Sequence, residues 1–239
     1  MKKQLDHDWD MTPVQAQEIQ RELAKKISKK CEIHDVSLVA GVDISSPDAG
    51  GVATGAVVVL HYPELEVAEC KTARKRLGFP YIPGLLSFRE SPLILAACER
   101  LSLTPDLILV DGQGVAHPRR LGLASHLGLL WDKPTIGCAK SRLCGRHEPV
   151  GLEPGCSAQL IEDNEVIGAA LRTKKWSAPL YISIGHKVDL ATALQWVLDC
   201  CRGHRLPEPT RLAHLAAAGK LKDEEPKARE HQARLFDEG

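Results

Sequence analysis

The chain has 239 residues, no net formal charge and 44% hydrophobic residues, which is enough apolar material for one large domain or two small ones. Zero net charge is a mild argument against a general nucleic-acid binder, and 4% aromatic residues exclude a broad stacking platform for single strands. No apolar run approaches the length of a membrane span.

The cysteines and the first residues indicate a cytosolic protein. The eight cysteines are scattered, and none lies in a Cys-x-x-Cys pair. This scatter argues against a zinc site or a disulfide framework and favours a reducing compartment. The first ten residues carry three aspartates and no apolar segment. We therefore expect no secretory signal, no membrane partner and a cytoplasmic location.

The first elements in chain order are a capped helix and three strands. Thr12 and Gln15 have the spacing of a capping box and predict a helix whose apolar stripe reaches Ile27. Asp43 projects from the first strand on a mostly apolar face, so it needs a partner because a lone buried carboxylate is costly. Short connections predict an antiparallel meander of strands at residues 37–45, 51–60 and 65–72.

A short loop with two prolines follows the meander. Pro80 and Pro83 restrict φ on either side of Tyr81 and Ile82, so the loop would be stiff and would present the tyrosine. The alternative is a packed turn with a half-buried tyrosine.

The next helix and strand each carry a carboxylate. Pro92 suits the first turn of a helix that runs to about residue 101, which places Glu90 at or just before its amino end. The apolar run at residues 107–111 ends in Asp111 and suits a central strand covered on both faces. A Gly-x-Gly break and a histidine follow, which favours a metal or ligand site about as strongly as a simple Asp turn.

The remaining elements complete an α/β pattern. Helices are predicted at about residues 118–130, 190–202 and 209–218, and strands at residues 135–138, 158–161, 166–171 and 180–186. A meander followed by helix–strand units predicts a mixed β-sheet, with an antiparallel meander and parallel strands, flanked by helices. We expect a single domain over residues 1–219 and a charged, flexible tail over residues 220–239.

Basic residues form three clusters despite the zero net charge. Each cluster alone reads more readily as a solvated face than as a binding site. The clusters are Lys71, Arg74, Lys75 and Arg76; Lys140, Arg142, Arg146 and His147; and Arg172, Lys174 and Lys175.

The three carboxylates would define a metal site if they converged. Two such charges at ~4 Å repel by roughly 4 kcal/mol at an effective dielectric near 20. Asp43, Glu90 and Asp111 would therefore not stay ionised together without a cation. Hard oxygen ligands and retained waters are what Mg²⁺ or Mn²⁺ prefers, and such metals polarise phosphorus and activate water.

Other side chains complete a set suited to phosphodiester hydrolysis. His117 and His214 are candidates to move a proton or orient a water. Lys140 is a candidate to neutralise a phosphate oxygen as a point charge. For any one of these residues alone, a structural role would be the better interpretation.

Several segments resemble those of the endonuclease V family, in one register and one order over about residues 10–218. The segments are Val-Ala-Gly-Val-Asp at 39–43, Pro-Tyr-Ile-Pro-Gly at 80–84 with Leu86, Phe88, Arg89 and Glu90, Asp-Gly-Gln-Gly at 111–114 with His-Pro-Arg at 117–119, Ile-Gly-Cys-Ala-Lys-Ser at 136–141, and Ile-Ser-Ile-Gly-His at 182–186.

The resemblance implies an RNase H-like fold and a Mg²⁺-dependent endonuclease, with Mn²⁺ as a substitute, that acts at deoxyinosine in DNA. The family cuts the second phosphodiester bond on the 3′ side of the lesion and leaves a nick with a 5′-phosphate. A monomer is expected. The implied metal ligands are Asp43, Glu90, Asp111 and His214, and the residues implied to support catalysis and phosphate binding are His117 and Lys140.

The resemblance also implies how the lesion is recognised. The loop Pro80, Tyr81, Ile82 and Pro83 would form a wedge whose tyrosine fills the gap left by an extruded base. Hypoxanthine offers an N1–H donor and an O6 acceptor where adenine offers the opposite pattern, so fixed donors and acceptors would reject adenine. The implied pocket residues are Gly84, Leu86, Gly112, Gly122 and Leu123, with Lys140 near the DNA.

Three alternatives stay open at this point. The first is cleavage of inosine in RNA rather than DNA. The second is a module that binds modified nucleic acid without cutting it, against which the carboxylates argue because negative charge facing phosphate weakens binding. The third is another RNase H-like enzyme, such as a resolvase or an excision-repair incision nuclease, against which the proline-bracketed loop argues.

Overall fold

The computed structural model describes residue 1, residues 4–5 and residues 7–226. Within these residues the chain forms five helices and eight strands. The helices are α1 (Pro13–Ala24), α2 (Leu86–Cys98), α3 (Leu123–Trp131), α4 (Leu190–Asp199) and α5 (Glu208–Ala217). The strands are β1 (Leu38–Ile44), β2 (Val52–His61), β3 (Glu66–Arg76), β4 (Leu107–Val110), β5 (Thr135–Ala139), β6 (Ser157–Glu162), β7 (Glu165–Leu171) and β8 (Leu180–His186).

The eight strands form one mixed sheet in the order β3-β2-β1-β4-β5-β8-β7-β6. The first three strands pair antiparallel, which confirms the predicted meander. β1, β4 and β5 are parallel at the centre, and β8, β7 and β6 continue the sheet antiparallel. The predicted α/β class with a mixed sheet is confirmed. Because β1 and β4 are parallel, their carboxyl ends meet at one edge of the sheet.

Helices cover both faces of the sheet. On one face, Ile94 of α2 and Leu127 of α3 share an apolar cluster with Val110 of β4. On the other face, Val197 of α4 and Ala213 of α5 lie in a second cluster. All four residues of β4 are buried, as the unbroken apolar run predicted for a central strand.

The start of α2 differs from the sequence prediction. The helix begins at Leu86, so Pro92 lies inside it rather than in its first turn. An interior proline costs about 3 kcal/mol through a lost hydrogen bond and a ring clash. Burial of the following Leu93 and Ile94 against the sheet offsets this cost. Glu90 consequently occupies the second turn of α2 and not its amino end.

Other boundaries differ by smaller amounts. The capping box at Thr12 is confirmed, but α1 ends at Ala24, before Ile27. α3 begins only at Leu123, because the chain before it turns through Arg120 at a φ of +57°. β3 continues beyond the predicted end to Arg76, which carries the basic cluster of the meander along the edge of the sheet.

A close contact between α5 and β1 depends on Gly41. A Cβ on this residue would lie 1.9 Å from the carbonyl oxygen of Pro209, near the start of α5. No other residue type fits here without moving the helix. This contact sets the position of His214 later in α5, over the strand that carries Asp43.

The described part of the predicted tail lies along the edge strand β3. Glu224 forms an antiparallel bridge with Cys70, Asp223 accepts a hydrogen bond of 2.7 Å from Thr72, and Glu225 accepts one of 2.6 Å from Lys71. Residues 227–239 of the predicted tail lie outside the described residues. None of the described helices combines the length and the apolar content needed to cross a membrane.

Candidate functional site

Two aspartates and a histidine meet at the carboxyl edge of the central strands. Asp43, Asp111 and His214 each offer a ligand atom, and these atoms all lie within 4.8 Å of one another. Asp43 is near the end of β1 and Asp111 follows β4 directly. Val42 pairs with Val110 in the parallel register, so the two aspartates are the next residues on neighbouring strands. The predicted convergence of these two carboxylates is observed.

Asp43 is held by hydrogen bonds to both of its oxygens. His214 donates from Nδ1 to Oδ2 at 2.7 Å, and the backbone N–H of Ile44 donates to Oδ1 at 2.7 Å. Burial raises the pKa of Asp43, and the charge of Asp111 raises it further, while the hydrogen bonds from His214 and Ile44 oppose the rise. The ionised form of Asp43 is therefore disfavoured in the metal-free site, and a bound cation would stabilise it.

Glu90 lies close to this cluster on α2 but outside the group of mutually close ligand atoms among the described residues. Burial raises the pKa of Glu90 to about 8, and the charges of Asp43 and Asp111 raise it further. Glu90 is therefore mostly protonated near neutral pH when no cation is bound. Glu90 therefore interacts electrostatically with both aspartates, although it comes from mid-helix.

Asp111 has one buried oxygen, Oδ2, that is in contact with a cationic side chain. Its Oδ2 is buried and accepts no hydrogen bond among the described residues, although the ammonium of Lys140 forms an ion pair with it. Lys140 follows β5, and its backbone carbonyl accepts a hydrogen bond of 2.7 Å from Arg205. A buried carboxylate oxygen with a free lone pair is available to bind a metal ion.

The donor set fits a hard divalent cation. Asp43 and Asp111 contribute carboxylate oxygens, Glu90 adds a third carboxylate nearby, and His214 supplies an imidazole nitrogen. Oxygen ligands suit Mg²⁺ and Mn²⁺, and the imidazole is better tolerated by Mn²⁺. Repulsion among the carboxylates agrees with a cation at this position.

A cavity of about 380 Å³ opens beside the carboxylate cluster. Asp111 and Lys140 line one side of it, so the cluster and the cavity share a wall. The five residues predicted for a lesion pocket all line this cavity, and they are Gly84, Leu86, Gly112, Gly122 and Leu123. Of the predicted wedge, Tyr81, Ile82 and Pro83 also line it, whereas Pro80 lies on the other side of the loop.

The wedge loop presents its tyrosine to solvent. Tyr81 is 71% exposed, which excludes the alternative of a half-buried tyrosine in a packed turn. The guanidinium carbon of Arg89 lies 5.9 Å from the centre of the Tyr81 ring, within the range of a cation–π contact. Ile82 packs at the edge of the cluster of Phe79, Leu85 and Phe88, which anchors the loop to α2.

His117 holds the carboxyl end of this loop through a hydrogen bond to Gly84. Its Nε2–H donates to the carbonyl of Gly84 at 3.0 Å, and its Nδ1 accepts from the backbone N–H of Arg119 at 3.1 Å. Arg119 also donates to the Gly84 carbonyl at 2.7 Å, and Gly84 has a φ of +79° that favours glycine. Burial lowers the pKa of His117 to about 4, so the ring is neutral at physiological pH. Both ring nitrogens are engaged, which suits a supporting role better than proton transfer.

The sequence prediction missed two polar residues of the cavity. Among the described residues, the Oγ of Ser87 and the Oε1 of Gln113 are buried without a hydrogen-bond partner, and both residues line the cavity. Ser87 is recognisable only once α2 is known to begin at Leu86, because its direction follows from its place in the helix. Gln113 stands between two glycines, where the spacing alone favours a turn.

Comparison with known proteins gives a consistent result. The family model described as endonuclease V matches residues 21–215. A protein named endonuclease V from Dehalococcoides mccartyi is 54% identical over 212 residues, which cover 89% of this chain and 95% of that protein.

Solved structures agree with the sequence comparison. The crystal structure of endonuclease V from Bacillus subtilis superposes with a TM-score of 0.87 at 33% identity, covering 92% of this chain and 96% of the other. Endonuclease V from Ciona intestinalis, solved with a 24mer DNA containing an inosine followed by a ribo-adenosine, superposes with a TM-score of 0.74 at 31% identity, covering 87% and 96%.

Proposed function

The chain belongs to the endonuclease V family, and from this we propose that it is a Mg²⁺-dependent DNA repair endonuclease that recognises deoxyinosine. It hydrolyses the second phosphodiester bond on the 3′ side of the lesion and leaves a nick with a 5′-phosphate. Mn²⁺ is the expected substitute ion. The eight cysteines are free, which supports action in a reducing cytoplasm, and we expect the protein to act as a monomer.

One observation carries the proposal more than any other. The carboxylate cluster of Asp43 and Asp111 shares a wall with the cavity that all five predicted lesion-pocket residues line. A metal site beside a base-sized cavity places phosphodiester chemistry within a short distance of a captured base. An exposed aromatic on the stiff loop at the cavity rim supports base extrusion.

Each polar residue of the site has a role in this reaction. The bound cation would polarise the scissile phosphate and lower the pKa of an attacking water. Asp43, Asp111 and His214 would hold that cation with Glu90 as a further carboxylate ligand, and His214 also orients the Asp43 carboxylate. Lys140 offers its ammonium to a phosphate oxygen once Asp111 is neutralised by the cation. His117 holds the Gly84 carbonyl and so keeps the wedge loop at the cavity rim.

The cavity supports discrimination of hypoxanthine from adenine. Its glycines leave backbone groups open to the edge of a base, and Ser87 and Gln113 add polar side chains to its lining. A base that matches these fixed groups satisfies them, whereas adenine would leave donors facing donors and acceptors facing acceptors. A pocket discriminates most strongly against a base that leaves its buried polar groups unpaired.

A strand-scission assay tests the proposal directly. The substrate is a labelled duplex with one deoxyinosine, incubated with and without Mg²⁺, with the product mapped at single-nucleotide resolution and its 5′ end tested by ligation. We expect a ligatable nick immediately after the 3′ neighbour of the lesion, lost in EDTA and absent when adenine replaces hypoxanthine. A cut on the complementary strand, or cutting at adenine, contradicts the proposal.

Cleavage of inosine in RNA is the second candidate. It is favoured by the relative from Ciona intestinalis, which was crystallised on DNA whose inosine is followed by a ribo-adenosine. Matched strands with deoxyinosine or riboinosine, assayed side by side, separate the two substrates. A rate on riboinosine that exceeds the rate on deoxyinosine would reverse the assignment.

Removing the wedge aromatic is expected to lower activity on duplex substrate. We expect Tyr81→Ala to reduce nicking of a deoxyinosine duplex about tenfold, because the lost stack no longer offsets part of the unstacking energy. The effect on single-stranded substrate is expected to be smaller, since no duplex has to be opened. The rates come from single-turnover nicking of both substrates.

Trp176→Ala is the matched control for this prediction. Trp176 is an exposed aromatic beside a lysine, at 74% exposure, and it lies away from the cavity. This variant is expected to keep the parent rate on both substrates. Equal losses for Tyr81→Ala on duplex and single strand would show that the tyrosine does not act as a wedge.

A further inference from the structure

A second cavity borders the wedge loop and shares no lining residue with the cavity beside the carboxylate cluster, which we call the lesion cavity. It has a volume of about 330 Å³, and its lining includes Phe79 and Pro80, whereas the loop from Tyr81 to Gly84 lines the lesion cavity. We call this second cavity the rear groove. The loop is therefore a partition, with one cavity against each of its sides.

The amino-terminal half of α2 divides in the same way. Leu86 and Ser87 face the lesion cavity, whereas Phe88, Arg89 and Pro92 line the rear groove. The helix and the loop together form one continuous wall between the cavities. Tyr81 stands at the exposed edge of this wall, with the Arg89 guanidinium 5.9 Å from its ring centre.

The rear groove is basic. Lys75 and Arg76 at the end of β3 and Arg89 of α2 line it, against the single carboxylate of Asp10. Among the described residues, none of these three cations forms an ion pair with a carboxylate. Their neighbour Arg74 differs, because it pairs with Asp48 at 3.8 Å and does not line the groove. Unpaired cations around a concave surface favour an anionic ligand.

The floor of the groove is aromatic and apolar. Trp9 and Phe79 line it, and both belong to or pack against the cluster that anchors the wedge loop. Aromatic faces beside cations are what a nucleic-acid strand with its sugars and bases contacts.

We propose that the rear groove binds the strand opposite the lesion, with its phosphates on Lys75, Arg76 and Arg89. This proposal rests on the proposed function. When the lesion base enters its cavity, Tyr81 occupies the gap in the duplex, so the orphaned base and its strand lie across the wedge from the extruded base. The rear groove is the basic surface on that side. It supplies affinity for duplex DNA that a single lesion-bearing strand does not receive.

The test compares duplex and single-stranded substrates in one pair of variants. The double variant Lys75→Ala/Arg76→Ala removes two groove cations, and Arg74→Ala removes a neighbouring cation outside the groove. Binding to a deoxyinosine duplex and to the same inosine strand alone is measured in EDTA by fluorescence anisotropy across a salt series. Nicking of both substrates is measured with Mg²⁺. Thermal unfolding of each variant checks that these exposed substitutions leave the fold intact.

We expect the groove variant to bind the duplex about tenfold more weakly and to lose about 2 from the slope of log K against log salt, one contact per removed cation. Its affinity for the single strand and its single-strand nicking rate are expected to match those of Arg74→Ala and the parent. Equal weakening on both substrates would assign the groove to the lesion strand and overturn the proposal. Unchanged duplex binding would overturn it as well.

The same experiment separates this proposal from the proposed function. If the parent protein nicks neither substrate with Mg²⁺, the proposed nuclease activity fails, and the groove is still judged on the binding data alone. If the parent nicks both substrates but the groove variant binds the duplex normally, the proposed function stands and the groove assignment fails.

Discussion

Replacing Asp111 by asparagine is expected to lower the rate of nicking at deoxyinosine by about 10³-fold or more, with no loss of affinity for the deoxyinosine duplex. The substitution keeps the shape of the side chain but removes one charge from the cluster with Asp43 and His214. Its buried Oδ2, which accepts no hydrogen bond among the described residues, would be replaced by a group that cannot hold a cation equally well. Single-turnover nicking and duplex affinity in EDTA are the two measurements.

Affinity is the more informative half of this prediction. Asp111 pairs with Lys140, so losing its charge leaves the ammonium free to meet a phosphate. Duplex binding without metal is therefore expected to stay equal or to become tighter. Asp189→Asn is the matched control, because Asp189 caps α4 far along the chain and asparagine caps equally well. A variant that nicks at the parent rate would remove Asp111 from the metal site.

The sequence was sufficient for residues whose position follows from strand pattern. Asp43 on β1 and Asp111 after β4 were both placed by apolar runs that end or turn at a carboxylate. Parallel neighbouring strands bring such residues to the same edge without further information. The two prolines left open whether Tyr81 is presented or half-buried in a packed turn, and the structure shows it exposed.

Helical residues were less predictable. Pro92 is a common first-turn residue, so it suggested a late start for α2 and misplaced Glu90. Tertiary burial of α2 overrides that local signal. His214 reaches Asp43 across 171 residues of sequence, through a contact that requires a glycine at position 41. Nothing in the local pattern of α5 encodes that partner, and only the resemblance to a family suggested it.

The shapes of the cavities could not be predicted from local sequence patterns, for a related reason. The lesion cavity and the rear groove depend on where the wedge loop leaves β3 and joins α2, and on which side of α2 each residue faces. From the sequence, the basic cluster that includes Lys75 and Arg76 was interpreted as a solvated face, because a charge cluster alone carries no information about a concave surface. Its position beside the wedge is a property of the folded chain.

The buried carboxylates of the site serve function and lower the stability of the metal-free protein. Burial raises the pKa of Asp43 and that of Glu90; the charge of Asp111 raises both further, and the charge of Asp43 adds to the rise for Glu90. Buried carboxylates of this kind destabilise the metal-free protein and are retained at functional sites. The pKa of Glu90 is raised to about 8, so substitution of this residue tests the charge of the cluster through its pH dependence.

Glu90→Gln is expected to stabilise the metal-free protein and to lower nicking by about 10²-fold or more. In the unfolded chain this carboxyl ionises near 4.5, whereas in the fold it ionises near 8. Between these values the unfolded state releases a proton that the folded state keeps, so the stability of the parent falls as pH rises from about 4.5 to 8. The glutamine variant lacks this loss. Its Tm should therefore exceed that of the parent by little at pH 5 and by several degrees at pH 8.

Adding the cation should reverse this order. Mg²⁺ or Mn²⁺ binds the folded state and not the unfolded state, so it should raise the Tm of the parent at pH 8. It should raise the Tm of Glu90→Gln less, because this variant lacks one carboxylate ligand. Glu99→Gln, at the exposed far end of the same helix, is the matched control and should follow the parent in both conditions. If the Tm difference between Glu90→Gln and the parent were the same at pH 5 and pH 8, Glu90 would not share the buried charge of Asp43 and Asp111. The metal site would then consist of the two strand carboxylates and His214 alone.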